Sequence, residues 1–438
     1  MPNIDMTVGI YTLGCKVNQY ESQAIAEALE KKGFSIIEPS HVCDVYVINT
    51  CTVTAESDRK ARQFIRRAIS ANPDAYVLVT GCMAQTAAEK VAKIDGVDAV
   101  VGNTDKLFIA EIAESLVRGG RKNEIAQIKV SNIATAPFEK MNITKFERTR
   151  AYVKIEDGCE SHCTYCIIPA ARGRIRSKAP DDVLREVEEL TRGGCREVVL
   201  TGIETASYGK DLGGIDLASL LCKVDKIEGI GRVRLGSLDP SLIKPKFVEQ
   251  IAGLHSLAPH FHLSLQSGSN AVLASMKRKY NAEMAARAME LLRESIPNVK
   301  FTTDIIVGFP GETEENFLET VGFVKNAGFL TTHIFPYSKR EGTPAAAMSG
   351  QIQKAEKSRR LHVLSEIEAL SRREILEHEI RKGRIAEVLF ESYRNGIAIG
   401  HTADFIEVHL PMDRPLHAEL ITVKLCSTDG NVCSAQPL

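Results

Sequence analysis

The sequence has almost no net charge and no long apolar run. At −1 over 438 residues, the charge excludes attraction of the whole molecule to a polyanion, so any nucleic-acid site must be a local basic patch. No apolar run reaches the roughly 18 residues that a membrane span needs, and the N-terminus lacks the pattern of a signal peptide. We therefore expect a cytoplasmic protein of two or three domains with no membrane partner.

Cysteine, by contrast, is abundant in this sequence. Eleven cysteines are too few for a disulfide scaffold of this length and many for a reducing compartment. An odd number also argues against complete pairing. Clustered cysteines in such a chain indicate metal binding.

Three cysteines occupy equivalent places in residues 6–120. Three apolar, strand-like runs lead to Cys15, Cys51 and Cys82 in turn, and each is followed by a helical pattern. In an open parallel sheet the carboxyl ends of the strands share one edge, where ligands bind. Three thiolates on that edge would hold three irons of a cubane cluster and leave the fourth iron open.

A second trio, Cys159, Cys163 and Cys166, has CxxxCxxC spacing after an alternating strand. This spacing folds three thiolates around one side of a four-iron cluster, so the free iron can chelate the amino and carboxylate groups of S-adenosylmethionine. Electron transfer into the sulfonium then yields a 5′-deoxyadenosyl radical. Structural zinc, with His162 as a fourth ligand, is the alternative.

The segment after this motif alternates strands and helices. Six βα units predict a parallel, incomplete barrel, whose site would lie at the carboxyl ends of the strands. Polar and glycine motifs fall at those ends, and they supply the following candidate cofactor residues: Gly202, Glu204, Ser237, Gln266 and Asp304.

The tail begins with a charged helix pattern over residues 351–380 and continues, from about Gly383, as short alternating runs. These runs are typical of a small β-barrel. The fold class is therefore α/β with a β-barrel tail, and the predicted domains are residues 4–120, 145–375 and 378–438.

Basic residues cluster in three runs, at 59–67, 172–178 and 277–279. Each run is either a solvated helix face or a local site for a polyanion. All three lie close to one of the motifs described above, which favours the second interpretation.

Seven motifs together resemble one family, the radical S-adenosylmethionine methylthiotransferases. They are GCKVNQYES (14–22), INTCTV (48–53), VTGCMAQ (79–85), KIEDGCESHCTYCIIPAARGRIRS (154–177), LQSGSN (265–270), DIIVGFPGET (304–313) and FPYSKREGTPA (335–345). The opening motif is most similar to the branch that acts on N6-threonylcarbamoyladenosine at position 37 of tRNA.

The resemblance implies two [4Fe-4S] clusters, one on each cysteine trio, and an RNA-binding TRAM barrel at the C-terminus. One S-adenosylmethionine would methylate sulfur at the auxiliary cluster, and a second would supply the radical that abstracts hydrogen from adenine C2. Glu204 would bind the amino group of S-adenosylmethionine, although Ile203 replaces the middle glycine of the family's Gly-Gly-Glu element. A reductant such as flavodoxin or ferredoxin and a sulfur donor are the remaining expected partners.

Two other functions are compatible with the sequence. A related enzyme methylthiolates an aspartate of a ribosomal protein with the same two clusters and domains. A zinc-bearing RNA-binding protein without catalysis is the alternative from a different class.

Overall fold

The computed structural model describes residues 6–120, 125–146 and 149–438, so the predicted domain start at residue 4 lies outside the described residues. The N-terminal region forms a six-stranded, wholly parallel sheet in the order β2-β1-β3-β4-β5-β6. Its strands are β1 (Thr7–Thr12), β2 (Ser35–Ile37), β3 (Val45–Thr50), β4 (Tyr76–Gly81), β5 (Ala99–Val101) and β6 (Gln127–Lys129). The sheet thus extends beyond residue 120.

Helices cover both faces of this sheet, which is why β3 and β4 are buried along their whole length. Helices α1 and α5 pack on one face with Val45 and Leu78, and α2 packs on the other with Tyr46 and Val77. The helices are α1 (Lys16–Lys31), α2 (Ala55–Ala71), α3 (Cys82–Thr86), α4 (Ala88–Ala92) and α5 (Ile109–Gly119).

The central region is the predicted incomplete barrel. Two parallel three-stranded sheets, β11-β10-β7 and β12-β13-β14, are joined by parallel bridges from Val233 to Leu257 and from Leu238 to Leu263. The barrel strands are β7 (Arg150–Lys154), β10 (Glu197–Thr201), β11 (Arg232–Leu235), β12 (His260–Gln266), β13 (Lys300–Val307) and β14 (Thr331–Pro336). A short antiparallel pair, β8 (Glu156–Asp157) and β9 (Arg176–Ser177), follows β7.

Helices alternate with these strands, as the sequence pattern predicts. They are α6 (Ile168–Arg172), α7 (Pro180–Arg192), α8 (Leu217–Val224), α9 (Pro245–Ile251), α10 (Asn270–Ser275), α11 (Ala282–Ser295), α12 (Glu314–Ala327), α13 (Pro344–Ala347) and α14 (Lys354–Arg381). Within the described residues, no helix combines the length and the apolar character that a membrane span requires.

The tail is a closed five-stranded barrel in the order β15-β16-β17-β19-β18. Its strands are β15 (Ile385–Arg394), β16 (Ile397–Thr402), β17 (Glu407–Pro411), β18 (Leu420–Thr428) and β19 (Cys433–Pro437). The sequence pattern predicts the first four strands and misses β19, because its residues, CSAQP, carry little apolar alternation.

The tail barrel docks on the amino ends of the central strands. Arg150, the first residue of β7, pairs with Glu391 at 2.6 Å, and Arg232, the first residue of β11, pairs with Glu387 at 3.0 Å. Since ligands bind at the opposite, carboxyl end of such strands, the tail lies across the barrel from the predicted active site.

Candidate metal and active site

The first cysteine trio meets at one edge of the N-terminal sheet. Cys15 is the N-cap residue of α1, Cys51 directly follows β3, and Cys82 opens α3. Gly14, at φ +99°, makes this possible because a Cβ atom there would lie 2.8 Å from the Cβ atom of Cys51. Only glycine tolerates both that conformation and that approach.

The thiol of Cys51 lies in a buried setting and feels the charges of the other two cysteines. Burial raises the pKa of Cys51 to about 11, and the neighbouring charges of Cys82 and Cys15 act in the same direction. Metal binding requires thiolates. The raised pKa therefore keeps the thiol of Cys51 protonated until a cation displaces the proton.

The second trio lies in the loop between the short strand β8 and helix α6. The amide of Cys159 donates to the carbonyl of Gly173 at 2.9 Å, and the amide of Cys166 donates to the carbonyl of Cys163 at 3.0 Å. These bonds hold the loop in a compact turn, with Cys163 buried and the other two cysteines half-buried.

Two charged side chains contact the thiols of this loop. The thiol of Cys159 donates to Glu204 Oε2 at 3.0 Å, and Arg278 Nη1 donates to the sulfur of Cys163 at 3.2 Å. A guanidinium beside a thiolate offsets its negative charge. Arg278 belongs to the predicted basic run 277–279, so the sequence identified its charge but not its contact.

Of the other predicted cofactor residues, Gly202, Ser237 and Gln266 occupy the carboxyl ends of strands, whereas the expectation that Asp304 also does so is wrong. Gly202 directly follows β10, and a Cβ atom there would lie 2.6 Å from Glu156 Oε2. Ser237 is exposed two residues after β11, and Gln266 ends β12 at φ +71°. Asp304 instead lies within β13 and pairs with His262 at 3.1 Å.

The two trios are connected through the protein interior. Helix α3, which begins at Cys82, packs against α6, which begins two residues after Cys166. Asn103 Nδ2 also donates to the carbonyl of Ala171 in α6 at 2.7 Å. These contacts join the segment that carries one trio to the segment that carries the other.

A buried ion network reinforces this connection. Arg172 Nη1 lies 2.5 Å from Glu21 Oε1, and Lys154 Nζ lies 2.9 Å from the same oxygen. Arg172 Nη2 also donates to Asn18 Oδ1 at 2.6 Å.

The basic run 172–178 is consequently not a polyanion-binding patch, because three of its four cations are buried. Arg172 and Arg176 lie within the ion network, and Lys178 pairs with Glu186 at 2.6 Å. The prediction of a polyanion site here is wrong because the sequence pattern cannot distinguish an interior ion network from a solvated face.

The donor sets suit iron–sulfur clusters better than zinc. All six cysteines are free thiols in two separate trios. Thiolates around one tetrahedral zinc lie about 4 Å apart. In the described ranges, the group of three potential ligands whose atoms lie within 4.8 Å of one another consists of His262, Asp304 and His333. This group contains no cysteine. Three thiolates in each trio suit a [4Fe-4S] cluster with one iron left open.

Comparison with known proteins agrees with this geometry. Residues 153–324 match the radical SAM superfamily, and residues 7–102 match a family described as uncharacterized protein family UPF0004. The structure of the radical S-adenosylmethionine methyltransferase TsrM from Kitasatospora setae superposes with a TM-score of 0.57 at 17% identity, covering 78% of this chain and 77% of TsrM. The fold and the CxxxCxxC loop define a radical S-adenosylmethionine protein.

Similarity to curated relatives identifies the family within this class. The threonylcarbamoyladenosine tRNA methylthiotransferase MtaB of Bacillus subtilis (strain 168) is 40% identical over 96% of this chain and 93% of its own length. The MtaB of Thermotoga maritima is 37% identical over 97% of this chain and 96% of its own length. The tRNA-2-methylthio-N(6)-dimethylallyladenosine synthase of Carboxydothermus hydrogenoformans is 37% identical over 87% of each chain. This chain belongs to the radical S-adenosylmethionine tRNA methylthiotransferase family.

Proposed function

We propose that this protein adds a methylthio group to C2 of N6-threonylcarbamoyladenosine at position 37 of tRNA. The observation that carries the proposal is the pair of cysteine trios on two domains, with α3 and α6 packed between them. Such an arrangement suits a reaction that needs a radical at one site and a sulfur donor at the other. The similarity to the two MtaB proteins supports this particular base.

Each trio would hold one [4Fe-4S] cluster, Cys15, Cys51 and Cys82 the auxiliary one, and Cys159, Cys163 and Cys166 the radical-generating one. When bound, the clusters supply the electron that cleaves S-adenosylmethionine and the sulfur that receives the methyl group. Adenine C2–H is strong and unactivated, so acid–base side chains alone cannot break it.

The chain's own residues position S-adenosylmethionine. Glu204 provides a carboxylate beside Cys159, suited to the ammonium group of the cofactor. Its carboxylate is oriented by Ser161 Oγ, which donates to Glu204 Oε1 at 2.8 Å, and its backbone is held by the amide of Glu204, which donates to Glu156 Oε2 at 2.7 Å. Gly202 allows close backbone approach, and Ser237 and Gln266 line the same ends of the strands.

The target base must leave the anticodon loop to reach the barrel, which costs least for a single-stranded nucleotide. Phe335 near the end of β14 is 45% exposed, and its ring is available to stack on a base. Tyr337, by contrast, is buried against Phe309 and belongs to the core.

Electrons would come from a small redox protein such as flavodoxin or ferredoxin, and a separate donor would restore the inserted sulfur. With tRNA as substrate, we place the reaction in the cytoplasm.

A second candidate substrate is tRNA bearing dimethylallyladenosine, which the similarity to the Carboxydothermus synthase favours. Nucleoside mass spectrometry of tRNA from a strain lacking this protein separates the two. Loss of 2-methylthio-N6-threonylcarbamoyladenosine supports the proposal. Loss of the dimethylallyl product alone, or unchanged tRNA with an unmodified ribosomal-protein aspartate, would contradict it.

A further inference from the structure

Three neighbouring strands of the barrel bring together a polar cluster whose role is unassigned. His262 on β12, Asp304 on β13 and His333 on β14 place their ligand atoms within 4.8 Å of one another. His262 Nε2 lies 3.1 Å from Asp304 Oδ2. His333 is exposed, and the other two are half-buried, so a ligand has access to the cluster.

Hydrogen bonds behind the cluster hold it in place. Thr302 Oγ1 lies 2.9 Å from His262 Nδ1 and 3.0 Å from His260 Nε2. With one ring nitrogen engaged by Thr302, the other nitrogen of His262 is directed at Asp304. His262 therefore holds the carboxylate of Asp304 in place, and this carboxylate and the exposed imidazole of His333 are presented to a ligand.

Lys16 adds a positive charge from the N-terminal domain. It is the first residue of α1, directly after Cys15, and is half-buried. Burial lowers the pKa of His260, and the charges of Arg234 and Lys16 act in the same direction. Burial likewise lowers the pKa of His333, and Lys16 contributes to that shift. Helix α1 packs against β7 of the barrel, and Asp304 is among the charges that act on Lys16, so the ammonium group faces the polar cluster.

Lys16 differs from the nearby cation Arg234 in having no direct ion pair, although Asp304 is the anion whose charge acts on it. Arg234 Nε pairs with Glu197 at 2.8 Å, whereas Lys16 forms no salt bridge to any residue that the structure describes. A half-buried, unpaired cation next to hydrogen-bonding groups is better suited to an anionic ligand than to a metal ion.

We infer that Lys16, His262, Asp304 and His333 form the subsite for the amino-acid substituent on N6 of the target adenosine. Lys16 pairs with the substituent's carboxylate, Asp304 accepts hydrogen bonds from its N–H and O–H groups, and His333 contacts its polar edge. This inference rests on the proposed function. It explains how a base with a charged substituent is placed between the two cysteine trios, since Lys16 adjoins Cys15.

The test compares Lys16→Gln, which removes the charge, with Lys31→Ala, an exposed lysine at the last turn of the same helix. Two anticodon stem-loops serve as probes, one with N6-threonylcarbamoyladenosine and one with N6-dimethylallyladenosine at position 37. Loss of a hydrogen bond to a charged group should weaken binding of the first RNA about 10-fold or more. Binding of the second RNA, and binding by Lys31→Ala, should not change.

Kinetics and cluster content separate recognition from folding. In Lys16→Gln, KM for the threonylcarbamoyl RNA should rise while iron content and reductive cleavage of S-adenosylmethionine match wild type. If Lys16→Gln weakens binding of both RNAs equally, or weakens binding of neither, the proposed subsite is wrong. If wild type shows this Lys16-dependent binding but methylthiolates neither RNA, the proposed function fails while the subsite stands.

Discussion

Arg172 Nη1 and Glu21 Oε1 lie 2.5 Å apart with both side chains fully buried. Glu21 follows Cys15 by six residues, and Arg172 follows Cys166 by six. The pair therefore links the segment behind one proposed cluster to the segment behind the other. Removing one partner would leave a buried, uncompensated charge.

Glu21→Gln should accordingly destabilise the protein by about 3 kcal/mol, measured by chemical denaturation at pH 7 under anaerobic conditions. The control is Glu56→Gln, which removes the exposed pair with Arg59 and should leave stability nearly unchanged because surface ion pairs contribute little. Equal effects of the two substitutions would contradict the structural role of Glu21.

The same carboxylate should make stability depend on pH. Burial by itself raises the pKa of Glu21, but the charges of Arg172, Lys106 and Lys154 outweigh it and hold this pKa well below its usual range. A depressed pKa contributes stability above the unfolded value, near pH 4.3, and that contribution is lost as pH falls further. Glu21→Gln should therefore show a shallower loss of stability below about pH 5 than wild type does.

The two cysteine trios should be separable by mutation. Cys163→Ala should abolish reductive cleavage of S-adenosylmethionine, whereas Cys51→Ala should retain cleavage and form no methylthio product. Anaerobic preparations should contain about eight irons per wild-type chain and about four in each variant. Normal cleavage by Cys163→Ala, or product from Cys51→Ala, would contradict the assignment, and zinc without sulfide would indicate a non-catalytic protein.

Phe335→Ala tests the stacking role of the exposed ring near the end of β14. Base–aromatic stacking contributes about 1–3 kcal/mol, so KM for tRNA should rise at least 5-fold. Leu318→Ala, at an exposed position of α12, is the matched control. Cleavage of S-adenosylmethionine without tRNA should stay at the wild-type rate, and an unchanged KM would exclude stacking by Phe335.

Of the three basic runs, the run at 59–67 on helix α2 is the one whose basic residues are all exposed. Arg62, Arg66 and Arg67 are exposed, and the helix begins four residues after Cys51. Replacing all three by alanine should weaken tRNA binding and make it less dependent on salt, by about 0.7 in log–log slope for each phosphate that is no longer neutralised. Arg287→Ala on α11 is the control and should leave the salt dependence of tRNA binding unchanged. If the triple variant keeps the wild-type slope, the tRNA does not bind at α2.

Part of the site was predictable because its signals are local. The apolar period of each strand and the cysteine at its end place the trio of Cys15, Cys51 and Cys82 on one edge. The buried role of Arg172 was not predictable, since its partner Glu21 is distant in sequence. The same holds for His262 and His333, which become neighbours only when β12, β13 and β14 pair.

The sequence by itself determined the order of the three domains, the strand periods and the two cysteine trios, because these depend on spacing within one segment. The tertiary structure decided which cations are buried, where the tail barrel docks, and which side chains surround Lys16. Those features depend on contacts between residues far apart in the chain, whose energies arise from burial and charge pairing and leave no periodic pattern in any one segment.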